Sequence, residues 1–111
     1  MKKIEAIIRP ERLDTVRKAL EDYGYPGMTI SEVRGHGKQH EIQQWRGQEY
    51  TVEFLNRLKI EIVVLDRDVS KMLNAIVGGA RTGETGDGKI FILPVEDAVR
   101  IRTGEGGENA I

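Results

Sequence analysis

The sequence predicts an α+β domain of ferredoxin-like βαββαβ order, a sandwich in which two helices cover one face of an antiparallel sheet. Three observations carry that expectation. Apolar residues recur with period two in four short segments and with helical spacing in two others, in the order strand, helix, strand, strand, helix, strand. A stretch with no period at all, 35–51, interrupts the middle of that order. A chain of 111 residues has material for one hydrophobic core and no second. The expectation is a single domain over 1–111.

Residues 2–9, KKIEAIIR, read as the first strand, with Ile4, Ala6 and Ile8 on one face. Pro10 suits the first turn of a helix, where a missing N–H is harmless, and Leu13, Val16, Leu20 and Tyr23 follow at helical spacing until Gly24. A second strand runs from about Gly27 to Arg34, with Met28 and Ile30 facing inward. The polar segment HGKQHEIQQWRGQE then reads as a long projecting loop, far beyond the ~4–6 residues of an ordinary connection and therefore functional in character. Strict alternation resumes over 57–65, where Leu58, Ile60, Ile62 and Val64 share a face. The second helix carries the stripe Val69, Met72, Leu73, Ile76 and Val77, with Asp66 or Asp68 as its cap and Gly78-Gly79 as its end. A glycine loop, 81–88, leads into a last strand from Lys89 to Val95, and a tail holds Arg100-Ile101-Arg102.

Composition removes several function classes. There are no cysteines, which excludes disulfides, thiolate nucleophiles and cysteine zinc sites together. Seventeen basic against eighteen acidic residues, net −1, argue against nucleic acid as the partner. An apolar run such as Ile62–Leu65 is far too short to cross a bilayer, and no secretory leader opens the chain, so a soluble, cytoplasmic protein without direct membrane insertion is expected. Thirteen glycines, about 12% against a usual ~7%, are clustered in loops, as in a ligand site lined by backbone.

Two stretches carry candidate chemistry. Gly83 to Lys89 has the G-x-x-x-x-G-K spacing of a phosphate loop, but Ile90 replaces the magnesium-binding hydroxyl and a strand follows where that motif needs a helix. P-loop hydrolysis is thereby rejected, while a nest of glycine N–H groups with Lys89 beside it still suits phosphate oxygens; a plain hairpin connection is the alternative. Arg100 and Arg102, two apart in an extended segment, point the same way and converge on a polyanion, or else line a solvated edge. His36 and His40 lack a third ligand for zinc. Glu61 beside Lys59 reads as a cross-strand ion pair, and Trp45 as a packing or partner contact. No catalytic residue is assigned.

GMTISEVRGHGKQ at 27–39, RGQEYTVEF at 46–54, KIEIVV at 59–64, ARTGETGDGKIFILPVEDAVRIRTGE at 80–105 and the final NAI together resemble the nitrogen regulatory PII signal-transduction family, over essentially the whole chain. The resemblance implies a homotrimer whose clefts between neighbouring subunits bind ATP or ADP. It implies a projecting T-loop at about 37–53 that docks on target proteins, a B-loop at about 81–89 and a C-loop at about 96–105. Carried over residue by residue, Thr29 and Val63 lie near the adenine, and Gly35, Gly37, Lys38 and Gln39 along the loop base. Gly86, Asp87, Gly88, Lys89, Arg100 and Arg102 serve the phosphates, the two arginines from the adjacent subunit. Gln39 also helps hold Mg²⁺ on ATP, and Arg57 faces the carboxylate of 2-oxoglutarate as effector. Tyr50 is the candidate for covalent modification.

The targets implied are proteins of nitrogen metabolism: an ammonium transporter that recruits the protein to the membrane, a kinase, an adenylyltransferase or an arginine-pathway enzyme. A slow nucleotide hydrolase, with Asp87 or Glu84 as base, and an ATP/ADP sensor without 2-oxoglutarate response are the alternatives. Departures from the family pattern are a T-loop one residue short, Trp45 for a tyrosine, His36 for a phenylalanine, and Asn56-Arg57 where Pro-Lys is usual.

Overall fold

Strand β1 (Lys2–Ile8) is the axis of the domain, because it alternates strictly and has a partner on each side. The computed structural model describes residues 1–24, 27–35, 41–45, 48–52 and 55–111, with only the backbone course for 41–45 and 48–52. The remaining elements are α1 (Leu13–Asp22), β2 (Thr29–Gly35), β3 (Glu41–Trp45), β4 (Gln48–Val52), β5 (Leu55–Val64), α2 (Val69–Ala80) and β6 (Lys89–Pro94). The main sheet has the order β2-β5-β1-β6, all antiparallel, which is the ferredoxin-like arrangement expected.

Register explains the core. Ile4, Ala6 and Ile8 lie opposite Ile62, Ile60 and Leu58 of β5, so their side chains share the face that both helices cover. Val16 and Leu20 of α1 and Met72, Ala75, Ile76 and Ala80 of α2 close over them, all buried. Removing a side chain such as Ile60, which is fully buried, costs about 2–5 kcal/mol through lost transfer energy and the cavity left behind.

Four expectations are corrected in detail. α2 does not stop at Gly78-Gly79 but runs through both to Ala80. Gly79 is there for proximity: a Cβ would stand 3.1 Å from Cα and Cγ2 of Val16, where the helices cross. Arg12 Nε donates to the Gly79 carbonyl at 2.8 Å, so the arginine just before α1 satisfies the terminal carbonyl that a left-handed glycine often serves. At the other end Asp68 occupies the cap position without a side-chain cap bond.

Ile30 does share a face with Ile60, yet it stays 42% exposed, because β2 is an edge strand beyond the cover of the helices. The projecting segment also contains structure: β3 and β4 pair from Glu41↔Val52 to Trp45↔Gln48 as a separate two-stranded sheet. The sequence of this separate two-stranded sheet does not alternate apolar and polar residues, so periodicity missed it. β-formers Ile42, Trp45, Tyr50, Thr51 and Val52 around a glycine-containing two-residue interval were the available signal. Among the described residues, no helix is long and apolar enough to cross a membrane.

Candidate functional site

Alternation places a second set of side chains on the helix-free face of the sheet. Ser31, Lys59, Ile7 and Lys89 form one cross-strand row, and Thr29, Glu61, Glu5 and Phe91 the next. Val63, Lys3 and Leu93 form the third. Lys3 is the hub of the charges here: its Nζ lies 3.0 Å from Glu5 and 3.3 Å from Glu61. Hydrogen bonds first to Glu5 and then to Glu61 push the Lys3 ammonium upward from its ordinary value. Glu61 does pair across strands as expected, but mainly with Lys3; its contact with Lys59 is 3.9 Å. Phe91 and Leu93, on edge strand β6, remain exposed on this face.

The glycine loop is built around one carboxylate. Asp87 Oδ1 accepts from Arg9 Nε at 3.0 Å and from the Thr82 hydroxyl, while Oδ2 accepts the N–H groups of Thr82 and Gly83 at 2.8 and 2.9 Å. Arg9 Nη2 adds a bond to the Thr85 carbonyl at 2.8 Å, tying the loop to the end of β1. The Thr82 bonds lead in holding the Asp87 carboxyl well below the usual carboxylate range. Gly83, Gly86 and Gly88 all have positive φ, and at Gly88 (φ +105) a Cβ would overlap the Ile7 carbonyl oxygen. This close approach sets Lys89 at the first position of β6, opposite Ile7. A cleft of about 310 Å³ opens beside it, lined by Ile7, Ile76, Val77, Gly88, Lys89 and Ile90. Lys89 itself makes no hydrogen bond or ion pair among the described residues, which leaves its ammonium available to an anion.

The arginine pair sits differently from the expectation. Residues 98–107 are not extended: the chain turns at 101–103, Arg100 N–H donates to the Glu105 carbonyl at 2.8 Å, and Gly104 N–H donates to the Arg100 carbonyl at 2.7 Å. Gly104 and Gly107, at φ +73 and +68, permit the reversal. Asp97 Oδ1 closes the base by accepting from Ala98 and Gly107 N–H. Arg100 and Arg102 are exposed beside the turn, without a partner among the described residues. Ile101 between them is entirely exposed.

The candidate residues therefore fall into separate groups. Gly86, Asp87, Gly88 and Lys89 stand where β6 begins. Val63 lies in the Lys3–Leu93 row, four residues or about 13 Å along β6 from Lys89. Thr29 is on the opposite edge strand, three strand spacings or about 14 Å across the sheet. The arginine loop leaves beyond the far end of β6, where Val95 N–H donates to the Met1 carbonyl. Among the described residues, no hydrogen bond or ion pair ties 96–111 back to the glycine loop. Gly35 and Arg57 lie on neighbouring strands at the same end of the sheet as Lys89, Arg57 two positions along β5 from the Lys59 of the Lys89 row, and Arg57 Nη1 donates to the Asn56 carbonyl at 2.8 Å. Gly37, Lys38, Gln39, His36 and His40 lie outside the described residues, as do the side chains of Trp45 and Tyr50.

Sequence reasoning passed over Arg9 and Asp97, and gave Thr82, at the head of the glycine loop, no role. The aspartate among glycines was the available hint for the loop, since Asp commonly accepts from nearby loop N–H groups. Arg9, 78 positions from Asp87, had no local signal.

Fold and site together define a small ferredoxin-like domain that carries a glycine loop with Lys89 at one end of β6 and an arginine loop beyond the other. A profile of the family Nitrogen regulatory protein P-II matches residues 1–105. Proteins named Nitrogen regulatory protein P-II from Microchaete diplosiphon and Pasteurella multocida are 59% and 54% identical over 112 positions, covering 100% of this chain and of each relative. A solved structure described as Arabidopsis thaliana PII bound to citrate has a TM-score of 0.81 and 47% identity, over 98% of this chain and 87% of that one. The chain belongs to the nitrogen regulatory P-II family of signal-transduction proteins.

Proposed function

We propose that this chain is a nucleotide-responsive regulator of nitrogen assimilation. It acts as a homotrimer, binds ATP or ADP between neighbouring copies, and controls target proteins through the segment 37–53. The observation that carries this reading is the separation along β6. Lys89 with its glycine nest stands at one end of the strand, and the loop of Arg100 and Arg102 leaves from the other. Phosphates lie a few ångströms apart, so both cation sets reach one nucleotide when a second copy supplies the arginines. Exposed Phe91 and Leu93 on the helix-free face give that copy an apolar surface to cover.

The loop chemistry supports sensing over hydrolysis. Both Asp87 oxygens are engaged by loop N–H groups, Thr82 and Arg9, and the carboxyl is held strongly acidic, which makes it a poor general base. Among the described residues, no group of three His, Asp, Glu or Cys side chains is placed to hold a metal. Mg²⁺ in this reading arrives with ATP, held by phosphate oxygens and Gln39. The citrate on the Arabidopsis relative supports a polycarboxylate effector, for which 2-oxoglutarate is the candidate and Arg57 the cation that faces it. Tyr50, in β4 of the projecting ribbon, is the candidate for a charge-adding modification that blocks docking.

Titrating ATP and ADP calorimetrically while assaying phosphate release tests the reading. Saturable binding with negligible turnover supports it. Sustained turnover makes the protein a hydrolase, and absence of binding leaves the site without its ligand.

A further inference from the structure

We propose that Asp97 is the positioning residue of the arginine loop: its single oxygen Oδ1 clamps the two ends of the segment and so holds Arg100 and Arg102 in place for an anion. The inference rests on the reading of those arginines as phosphate ligands and adds the group that organises them. Asp97 Oδ1 accepts the N–H of Ala98 at 2.8 Å and of Gly107 at 2.9 Å, one at each end of the loop. Gly107 N–H is shared with the Ala98 carbonyl at 2.9 Å, and Val99 bridges to Gly106 just inside. Beyond this base the loop has no hydrophobic anchor: Val99 is 62% and Ile101 100% exposed. Hydrogen bonds hold its shape, and among the described residues Asp97 is the one side chain that spans its base. Asp87 organises the glycine loop in the same way, so each anion-receptive loop folds around one aspartate. Neither aspartate needs to touch the ligand. A loop already closed loses less freedom on binding than one that must close around the ligand.

Because both bonds go to one oxygen, asparagine can replace the clamp and alanine cannot. The pair Asp97→Asn and Asp97→Ala therefore separates geometry from charge, since both remove the same negative charge from the neighbourhood of the arginines. Two readouts on the full-length protein are used: ATP affinity by calorimetry, and the rate of tryptic cleavage after Arg100 and Arg102 followed by mass spectrometry. Cleavage needs the loop to open and so reports its order without any nucleotide. Asp97→Ala is expected to weaken ATP about tenfold and speed cleavage about tenfold, the scale of two ordinary hydrogen bonds. Asp97→Asn is expected to stay within about threefold of wild type in both, the scale at which measured contributions scatter.

Unchanged cleavage in Asp97→Ala overturns the proposal whatever the affinities show. So does an Asp97→Asn variant as impaired as Asp97→Ala, or an ATP affinity that both variants tighten equally, which is the signature of charge alone. The double variant Arg100→Ala/Arg102→Ala separates the underlying reading from this one. If it binds ATP like wild type, the arginines are not phosphate ligands, and the positioning role for binding falls with that reading.

Discussion

Replacing Gly88 by alanine tests how the glycine loop is held against β1. Gly88 sits at φ +105, and a Cβ built there would overlap the Ile7 carbonyl oxygen and stand 2.8 Å from its carbon, so main chain must move. Holding a non-glycine residue in that conformation costs on the order of 1–3 kcal/mol. Forcing apart packed atoms adds about 1–3 kcal/mol more. The sum, roughly 2–6 kcal/mol, is a large fraction of the ~5–15 kcal/mol that stabilises a domain. At about 4 °C per kcal/mol for a chain of this length, Tm should fall by roughly 8–24 °C. Gly83 is the internal control: its φ is +91 but nothing stands within 4 Å of a Cβ, so Gly83→Ala bears the strain without the collision. Thermal unfolding followed by circular dichroism reads both variants, and calorimetry with ATP reads the displacement of Lys89. Equal, small Tm losses in the two variants, with ATP affinity unchanged in Gly88→Ala, would refute the argument that the β1 contact sets this loop.

Lys89→Ala should leave Tm within a few degrees, since the ammonium has no partner among the described residues, and weaken ATP by roughly ten- to a hundredfold; calorimetry on the folded variant checks this. Asp87 contributes to stability while ionised: its carboxyl is held below its unfolded value of about 3.9, so the contribution is complete above that pH and fades as acid protonates it. Stability curves of wild type and Asp87→Asn should therefore converge in acid, and a gap that persists unchanged to pH ~2 contradicts the assignment. Titrating 2-oxoglutarate into protein carrying Mg-ATP should give binding that Mg-ADP does not support and that Gln39→Ala abolishes. Equal heats in all three, or none in the first, remove the effector arm.

Most of the fold was legible because its signals are local. The stripes of β1, β5 and α2 each face one core, and a buried face forces its own periodicity. Outside these stripes the signal was weaker: β3 and β4, a sheet separate from the main one, were hidden inside an aperiodic stretch, and Ile30 looked buried from its alternation although an edge strand leaves it uncovered. The helix end at Gly78-Gly79 misled for a related reason, since Gly79 serves packing against Val16 rather than chain reversal. In the site, Lys89 and the glycines announced themselves by composition. The groups that hold them could not, because Arg9 meets Asp87 across 78 positions and Asp97 closes on Gly107 only after the chain has turned.

The central claim is that one nucleotide site takes its glycine loop and Lys89 from one copy and its arginine pair from another. Subunit complementation tests it most directly. Lys89→Ala chains and Arg100→Ala/Arg102→Ala chains are each assayed alone, then unfolded together, refolded as mixed oligomers and titrated with ATP. Alone, each should lack tight sites. Mixed in equal amounts, about a quarter of the sites should join an intact glycine loop to an intact arginine pair and recover wild-type affinity, as expected for a head-to-tail ring. If mixed oligomers form and no tight site returns, the two loops serve one chain, and the account of a shared site is contradicted.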